Sequence, residues 1–505
     1  MSTLVVGARI HSVGSQTTAI LFDSRGITWL GSSEDAQDLA ADERIDARGM
    51  FLTPGFVDAH VHATNTGLTI IGLDLGRVTS APELLDRIRR ARAEHPGEPI
   101  IGHGWDETRW TDPRVPTRTE IDAAAAGGVV YLSRIDVHSA LVSTALLDAV
   151  PGIGNRAGFD AMSAQVSRQA HGDVRRVALG GIGPIVRERA QRAFLDRASR
   201  NGIVAVHEMA GPTISGEVDA QALTDLATGP GPRVVLYWGE LASAGGIDRA
   251  RSLGAIGAGG DLFVDGAIGS RTAALHEPYT DAPDTNGALY IEHDEIVDHV
   301  VQCTAANVQA GFHVIGDRAC DTVSSAFSAA QSLSDADRFH RLRHRIEHAE
   351  MVSDTTLARL TRLGITLSMQ PLFDGLWSGP GGMYEQRLGP TRAHGMNRWG
   401  SATRAGAHVA FSSDCPVTDM SPWLQIHAAT HHHDPKERLT VDQAIAAYTR
   451  AGWLAAGDDH SGMIRTGMPA HLALWESVPD EAAPAPTCVS TWVGGERTYA
   501  DARLQ

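Results

Sequence analysis

The chain has 505 residues, a net charge of −17 and 43 basic residues, of which Lys436 is the only lysine. A Schiff-base lysine, the lysine of a phosphate-binding loop or a lysine-rich nucleic-acid arm would have to be Lys436 or be absent. The acidic balance excludes nucleic acid and anionic membrane surfaces as expected partners, and no stretch approaches the roughly 20 apolar residues of a membrane span.

Cysteine usage bears on the compartment. The four cysteines include no C-x-x-C spacing, so the sequence predicts neither a disulfide framework nor a thiolate metal site. We therefore expect a cytoplasmic protein. Its expected partner is a small-molecule substrate. Formation of a homodimer is left open.

The two ends of the chain have the same pattern of short predicted strands. Short strand patterns with Gly, Asp and Ser punctuation fill the first fifty residues and recur in the last fifty. This pattern predicts one small composite β-sandwich, built from residues 1–53 and 458–505.

Residues 54–457 alternate apolar strand patterns with amphipathic helices, which is typical of βα units around a parallel sheet. The predicted strands are PGFVDAHVH, IIGHGWDE, VVYLSRID, GIVAVHEMA, RVVLYWGE, DLFVDGAIG, AGFHVIGD, HRIEHAE, ITLSMQP and AHVAFSSD. Ten strands exceed the eight of a TIM-type barrel. We therefore predict an α/β fold, a (β/α)8 barrel, in which the second and third strands belong to a subdomain of about residues 70–190 inserted after strand 1.

Several of these strands end in histidine or aspartate, at the edge where barrel enzymes carry their chemistry. His60 and His62 lie two apart, so both side chains project to one side of the first strand. His313, His348 and Asp414 follow at the ends of three later strands. Imidazoles and a carboxylate gathered at a barrel mouth predict a divalent metal site.

Several segments of the chain resemble a known family. The segments TPGFVDAHVH, GWDETRW, FVDGAIGSRTAAL, FHVIGDRA, RIEHAE and FSSDCPV are similar, in this order, to the amidohydrolase superfamily. Within it they resemble the YtcJ-like metal-dependent hydrolases of amidohydrolase family 3, which include N-substituted formamide deformylase. The resemblance implies hydrolysis of a carbon–nitrogen bond other than a peptide bond, such as that of an N-acyl or N-formyl amine.

The resemblance also implies roles for individual residues. The metal ligands would be His60, His62, His313, His348 and Asp414. A metal-activated water would attack the substrate carbonyl, with Asp414 as general base and then acid and His348 helping to polarise the carbonyl.

Many members of the superfamily bridge two metals with a carboxylated lysine. Related sequences often carry that lysine four residues before the Asp-Gly pair, where this chain has Asp261. With no carboxylated lysine, one Zn²⁺ per chain is favoured over two. If there are two, Asp265 or Asp261 would bridge them, since strand alternation puts both on one face.

A substrate pocket is predicted from residues outside this set. Trp105, Asp106 and His138 of the inserted subdomain, Trp377 after the seventh barrel strand, and Arg271 as a carboxylate anchor are the candidates. The run His431–Asp434 predicts a solvated turn. The alternatives kept open are a cyclic-amide hydrolase or deaminase of the same superfamily, and a non-catalytic, metal-stabilised binding protein.

Overall fold

The structure is a computed structural model that describes residues 1–479 and 485–502. Its strands are β1 Thr3–Val6, β2 Arg9–Ile10, β3 Ala19–Asp23, β4 Gly26–Gly31, β5 Glu43–Asp46, β6 Phe51–Pro54, β7 Phe56–Val61, β8 Leu73–Asp74, β9 Ile100–Trp105, β10 Val130–Arg134, β11 Ser139–Val142, β12 Gln165–Ser167, β13 Ile203–Ala210, β14 Arg233–Trp238, β15 Gly257–Ala258, β16 Gln309–Val314, β17 Arg345–His348, β18 Thr366–Met369, β19 His408–Phe411, β20 Leu472–Trp475, β21 Cys488–Val493 and β22 Glu496–Ala500. Its α-helices are α1 Ala63–Ile71, α2 Ala81–Glu94, α3 Arg118–Ala124, α4 Thr144–Asp148, α5 Arg168–Gly180, α6 Pro184–Arg200, α7 Glu217–Leu226, α8 Gly246–Ser252, α9 His293–Ala306, α10 Asp317–Ser332, α11 Ala336–Leu342, α12 Asp354–Arg362, α13 Pro371–Trp377, α14 Met383–Leu388, α15 Pro390–His394, α16 Trp399–Arg404, α17 Pro422–Thr430, α18 Val441–Ala447 and α19 Arg450–Ala455.

An eight-stranded parallel sheet, in the order β7 and then β13 to β19, forms a nearly closed barrel. Most of its strands are buried along their whole length, as in β13, which is the pattern of a parallel sheet covered on both faces; β14 and β19 are exposed only at their beginnings. The sheet closes between β7 and the segment after β19. The N–H of His62 donates to the carbonyl of Cys415 at 3.0 Å, and the N–H of Asp414 donates to the carbonyl of His60 at 2.9 Å.

A buried carboxylate, Asp58 of β7, strengthens this closure. It accepts the backbone N–H of Ser413 at 2.7 Å and its hydroxyl at 2.6 Å, and the hydroxyl of Tyr448 at 3.0 Å. The first and last barrel strands are therefore joined by hydrogen bonds from side chains as well as from the backbone.

A separate five-stranded sheet, in the order β12-β11-β10-β9-β8, lies in the chain between β7 and β13. Two of the ten predicted strands, IIGHGWDE and VVYLSRID, contribute β9 and β10 to it. The sheet has a hydrophobic cluster of its own that includes Trp105, Trp110 and Leu132. The exact boundaries predicted for the domains stay a prediction.

The ends of the chain form two further sheets. One, β4-β3-β1-β5, comes from the first fifty residues, and the other, β2-β6-β20-β21-β22, combines strands from both ends. One hydrophobic cluster contains residues of both sheets, among them Val5 and Ile20 from the first and Leu472 and Trp492 from the second.

The predicted strand DLFVDGAIG is wrong. The fourth barrel strand is the two-residue β15, and the chain after it is irregular. Gly259 at φ 150° and Gly260 at φ 84° turn the chain out of the strand, and a Cβ at Gly259 would collide with the backbone of Gly311. The turn requires glycine for both reasons, and it brings Asp261 in directly behind the strand.

Several helices begin at side chains that cap them. Ser80 accepts the N–H of Glu83 at the start of α2, and Thr117 and Glu120 form a reciprocal capping box at the start of α3. In the part of the chain that the structure describes, no helix is both long and apolar enough to cross a membrane.

Candidate metal centre

Four side chains from three strand ends converge on one point. His60 Nε2 lies 3.4 Å from Asp261 Oδ1 and 3.4 Å from Asp414 Oδ1. His62 Nε2 lies 3.2 Å from Asp261 Oδ2 and 3.3 Å from Asp414 Oδ1. Ligand atoms about 2.0–2.1 Å from a tetrahedral ion stand about 3.3–3.4 Å from one another. His60, His62 and Asp414 therefore form one group of candidate ligands for a divalent cation, and His60, Asp261 and His348 form a second group.

Two further imidazoles approach the same aspartate. His313 Nδ1 lies 3.5 Å from Asp261 Oδ1, and His348 Nε2 lies 3.9 Å from that oxygen. The structure thus brings together all five side chains predicted as metal ligands, with Asp261 in their midst. The Oδ2 of Asp261 faces His62, while its Oδ1 faces His313 and His348.

The donor atoms of this group lack other partners. Within the described chain, no hydrogen bond reaches His60 Nε2, His313 Nδ1, Asp261 Oδ1 or Asp414 Oδ1, although all four atoms are buried. Buried polar atoms without partners are costly, at about 1–3 kcal/mol each. Imidazole nitrogens and carboxylate oxygens are ligands for zinc and other first-row divalent ions, so the residues present fit such a cation.

The pKa shifts of Asp414 and His62 also indicate that the two buried carboxylates require a positive charge beside them. Burial opposes ionisation of Asp414, yet His60 and the neighbouring imidazoles outweigh burial and hold the pKa of Asp414 well below its usual value. Burial likewise disfavours a charged His62, but the neighbouring carboxylates of Asp261 and Asp414 raise the pKa of His62 to about 9. Two buried carboxylates therefore need a compensating charge, which protonated imidazoles or a cation can supply.

The outer nitrogens of three histidines are fixed by acceptors. His60 Nδ1 lies 2.9 Å from Glu347 Oε2, and His348 Nδ1 lies 2.9 Å from Gln370 Oε1. His313 Nε2 lies 3.3 Å from the carbonyl of Gly266. Each acceptor assigns the ring proton to the outer nitrogen, which leaves the lone pair of the inner nitrogen facing the cluster.

Glu347 is in turn held by a buried arginine. Arg345 places Nε 2.5 Å from Glu347 Oε1 and Nη2 2.8 Å from Oε2, and neither side chain is exposed. Glu347 was not predicted as a site residue. Strand alternation would send Glu347 and His348 to opposite faces, but left-handed backbone at His348 (φ 72°) and Ala349 (φ 51°) redirects the chain, which no periodic pattern reveals.

Asp265, the other predicted bridging residue, lies outside this cluster, and that alternative is wrong. Its carboxylate accepts the backbone N–H groups of Ala274, Ile315 and Gly316 at 2.8, 2.9 and 2.8 Å. The alternation that placed Asp265 beside Asp261 does not hold, because no strand covers these residues. Asp265 instead ties the loop after β15 to the end of β16.

We expect Asp265→Asn to destabilise the protein by about 2–4 kcal/mol without changing its metal content, because an amide N–H₂ would oppose backbone N–H donors. Thermal unfolding and elemental analysis measure the two quantities. Asp261→Asn is the matched variant and should instead lower the metal content. Loss of bound metal in Asp265→Asn with an unchanged Tm would contradict this assignment.

A cavity opens in front of the cluster. Two of the predicted pocket residues line it, His138 and Trp377. The His138 ring lies 4.9 Å from that of His313, and its pKa is lowered well below the usual value by burial and then by His313. The remaining lining includes Asp136, Ile268, Gly269, Glu350, Phe373, Tyr384 and Val417, together with His313, His348 and Asp414. We call this space the reaction cavity.

Three predicted pocket residues do not line the reaction cavity. Trp105 is fully buried in the cluster of the inserted sheet, where its Nε1 donates to the carbonyl of Leu132 at 2.8 Å. Asp106 accepts from Arg134 at 3.0 Å, and Arg271 pairs with Asp281 at 2.7 Å. Their polar groups are engaged within the protein, and a contact of these residues with substrate stays a prediction.

Two acidic residues of the reaction cavity were missed. Glu350, buried two positions after His348, accepts the hydroxyl of Tyr384 at 2.7 Å, and burial raises its pKa to about 7. Asp136, two positions before His138, accepts from Arg134 at 2.9 Å and from Ser270 at 2.6 Å. Their spacing from the two histidines was the available signal.

A second histidine cluster, Asp374 with His432 and His433, is a structural group. His433 Nδ1 lies 2.5 Å from Asp374 Oδ1 and its Nε2 lies 3.2 Å from the carbonyl of His394, so both ring nitrogens are used. His432 accepts from the N–H of Asp434 and donates to the carbonyl of Asn397. The predicted solvated turn is wrong at His432, which is fully buried.

A barrel with histidines and carboxylates at its strand ends, facing one cavity, defines a metal-dependent hydrolase. The chain belongs to the amidohydrolase family, which matches residues 43–499. It is 26% identical to the putative amidohydrolase YtcJ of Bacillus subtilis (strain 168), over 94% of this chain and 93% of that protein. It is 24% identical to the N-substituted formamide deformylase of Arthrobacter pascens, over 95% and 94%. A solved metal-dependent hydrolase from Pyrococcus furiosus superposes with a TM-score of 0.73 at 26% identity, covering 95% of this chain and all of that one.

Proposed function

We propose that the protein hydrolyses an amide-like carbon–nitrogen bond of a small molecule, of the N-acyl or N-formyl amine type. The observation that carries the proposal is the set of buried, unpartnered ligand atoms at the floor of the reaction cavity. The similarity to an N-substituted formamide deformylase supports the choice of bond.

We propose one Zn²⁺ per chain, held by His60, His62, Asp414 and Asp261. His60, His62 and Asp414 form one group of candidate ligands, and the Asp261 carboxylate faces both of these histidines. His313 and His348 lie farther out, at 3.5 and 3.9 Å from Asp261 Oδ1, and His348 lies 4.0 Å from Asp414 Oδ2. When bound, a divalent cation lowers the pKa of a coordinated water to about 7 and polarises a substrate carbonyl. A second ion between His313 and His348, bridged by Asp261, is the alternative. The only lysine, Lys436, is exposed and supplies no carboxylated bridge.

The proton transfers are assigned to Asp414. Its Oδ1 has no hydrogen-bond partner, it lines the reaction cavity, and its pKa is held low, so at neutral pH it is an ionised acceptor. It takes the proton of the attacking water and returns it to the departing amine. His348, oriented by Gln370, lies beside it. Burial lowers the pKa of His348, but Asp261 and Asp414 outweigh burial and raise it, and the protonated ring donates from Nε2 to the carbonyl oxygen of the substrate.

The walls of the reaction cavity select the substrate. Trp377 packs against Phe373 and Tyr384, with ring centroids 4.8 and 6.1 Å apart. Apolar walls with few polar groups are usual for small-molecule sites. His138 is neutral and accepts or donates one hydrogen bond to the substrate.

The test is turnover of a panel of N-acyl amines, N-formyl amines and cyclic amides, with Zn²⁺ and after chelation. We expect zinc-dependent hydrolysis of a linear amide and about one zinc per chain by elemental analysis. Preferred turnover of cyclic amides would favour the alternative hydrolase. Binding of panel members without turnover of any would favour the non-catalytic protein, and two zinc ions per chain would favour the bridged centre.

Trp377→Leu should raise KM about tenfold for a substrate with an apolar substituent and leave kcat nearly unchanged, because the wall contacts ground state and transition state alike. Steady-state kinetics on the best panel substrate measures both constants. Trp29→Leu, in β4 of the N-terminal sheet, is the matched control and should change neither. An equal loss in kcat would contradict a binding role for Trp377.

A further inference from the structure

A second cavity lies between α1 and the inserted sheet, and a buried arginine faces it. Arg175 of α5 is 5% exposed. Its guanidinium donates no hydrogen bond to any described residue, and its buried Nη2 lacks a partner. We call this space the Arg175 cavity.

The lack of a carboxylate beside Arg175 is exceptional in this chain. Four arginines of the described residues are at most 5% exposed, and the other three are Arg134, Arg345 and Arg387. Arg134 pairs with Asp136 at 2.9 Å, Arg345 with Glu347 at 2.5 Å and Arg387 with Asp281 at 2.6 Å. Burial of an unpaired charge is unfavourable, and buried arginines are normally paired. An anion bound in the cavity would supply the missing partner.

The lining of the Arg175 cavity indicates which anion fits. No acidic side chain lines it, and Arg175 is its one charged group. Leu68, Ile101, Val137 and Leu179 supply apolar walls. One guanidinium balances a single negative charge and binds a carboxylate in a bidentate manner.

Further polar groups are available at this cavity. His103 lines it with its Nε2 2.8 Å from the carbonyl of Pro416, while its buried Nδ1 has no partner. Burial lowers the pKa of His103 to about 4, so the ring is neutral and Nδ1 is an acceptor. Asn65, Thr69 and Ser133 also line the cavity. A ligand hydroxyl or amide N–H would satisfy the His103 nitrogen.

We infer that the Arg175 cavity binds a small organic carboxylate with a short apolar chain, through the guanidinium of Arg175. The cavity is distinct from the reaction cavity but backs onto it. Val137 and Pro416 line the Arg175 cavity, whereas their neighbours Asp136 and Val417 line the reaction cavity. The inference does not depend on the proposed reaction.

The test is calorimetric titration of the full chain with hexanoate, once with Zn²⁺ and once after chelation. We expect saturable binding with a Kd in the millimolar range or tighter, equal within twofold in both states because the cavity contains no candidate metal ligand. Hexanamide, which lacks the charge, and inorganic phosphate, which lacks the apolar chain, should each bind at least tenfold more weakly. Binding that disappears on chelation would place hexanoate at the metal and overturn the inference, as would phosphate or hexanamide binding as tightly.

Variants of Arg175 and its neighbours test whether hexanoate binds in the Arg175 cavity. Arg175→Met should weaken hexanoate at least tenfold, whereas Arg176→Gln should bind as the wild type does, because Arg176 is exposed and paired with Asp173 at 2.7 Å. The ligand-free Arg175→Met protein should have a Tm no lower than wild type, since it loses an unpaired buried charge. If it fails to fold, Leu179→Trp, which fills the cavity, should abolish binding. Wild-type affinity in a folded Arg175→Met or in Leu179→Trp would overturn the inference.

Discussion

Replacing Asp414 with asparagine is expected to lower kcat by about 10²–10⁴-fold, the range that general acid–base catalysis contributes. The amide keeps the shape of the side chain and an oxygen for the cation, but it cannot accept the proton of the attacking water. Turnover of the best amide substrate, normalised to bound zinc, measures the effect.

Metal content separates the two roles of Asp414. The variant is compared with wild type at equal zinc occupancy, and Asp298→Asn, an exposed position on α9, is the matched control that should leave kcat unchanged. Near-wild-type kcat in Asp414→Asn at full occupancy would assign the base elsewhere, and Glu350, buried in the same cavity, would be the next residue to replace.

Replacing Glu347 with glutamine should have the largest effect on stability, about 3–5 kcal/mol, because Arg345 would be left as an uncompensated buried charge. The same change removes the acceptor that fixes the His60 ring, so zinc affinity should fall about 10–100-fold. Denaturant unfolding of the chelated protein measures the first effect, and competition with a chromogenic chelator measures the second.

A double variant identifies the cause of the destabilisation. Arg345→Met combined with Glu347→Gln should be less destabilised than Glu347→Gln alone, because the orphaned charge is removed. Zinc affinity should stay low in the double variant, since His60 still lacks its carboxylate. Glu277→Gln, at an exposed position, is the control. Unchanged zinc affinity in Glu347→Gln would show that His60 needs no support from Glu347.

The barrel and most of the candidate ligands could be predicted because they follow local rules. Apolar runs that end in polar residues mark strand ends, and parallel strands end at one edge, so His60, His62, His313, His348 and Asp414 were expected together. The two-residue fourth strand escaped prediction because Gly259 and Gly260 end it, whereas the apolar run lies after them.

The pocket was predicted less well, because its lining depends on packing between distant segments. Trp105 and Trp377 look alike in sequence, yet one fills the core of the inserted sheet and the other lines the reaction cavity. Arg175 and Arg176 are adjacent and look equivalent in sequence. Their different positions around α5 place Arg175 at the Arg175 cavity and Arg176 in solvent. Glu347 and His348 are consecutive, yet both reach the centre, because left-handed backbone at His348 overrides the strand alternation.

The joining of β7 to the segment after β19 has a consequence for biosynthesis. Asp58 and Ser413 are 355 positions apart, so at about 5–20 residues per second a ribosome needs roughly 20–70 s to deliver the second after the first. During that interval the first strand has an unpaired edge, which is a hazard for association with other chains. A nascent chain stalled before Asp414 therefore lacks one of the four proposed ligands, and the complete set can assemble only after Asp414 has been synthesised.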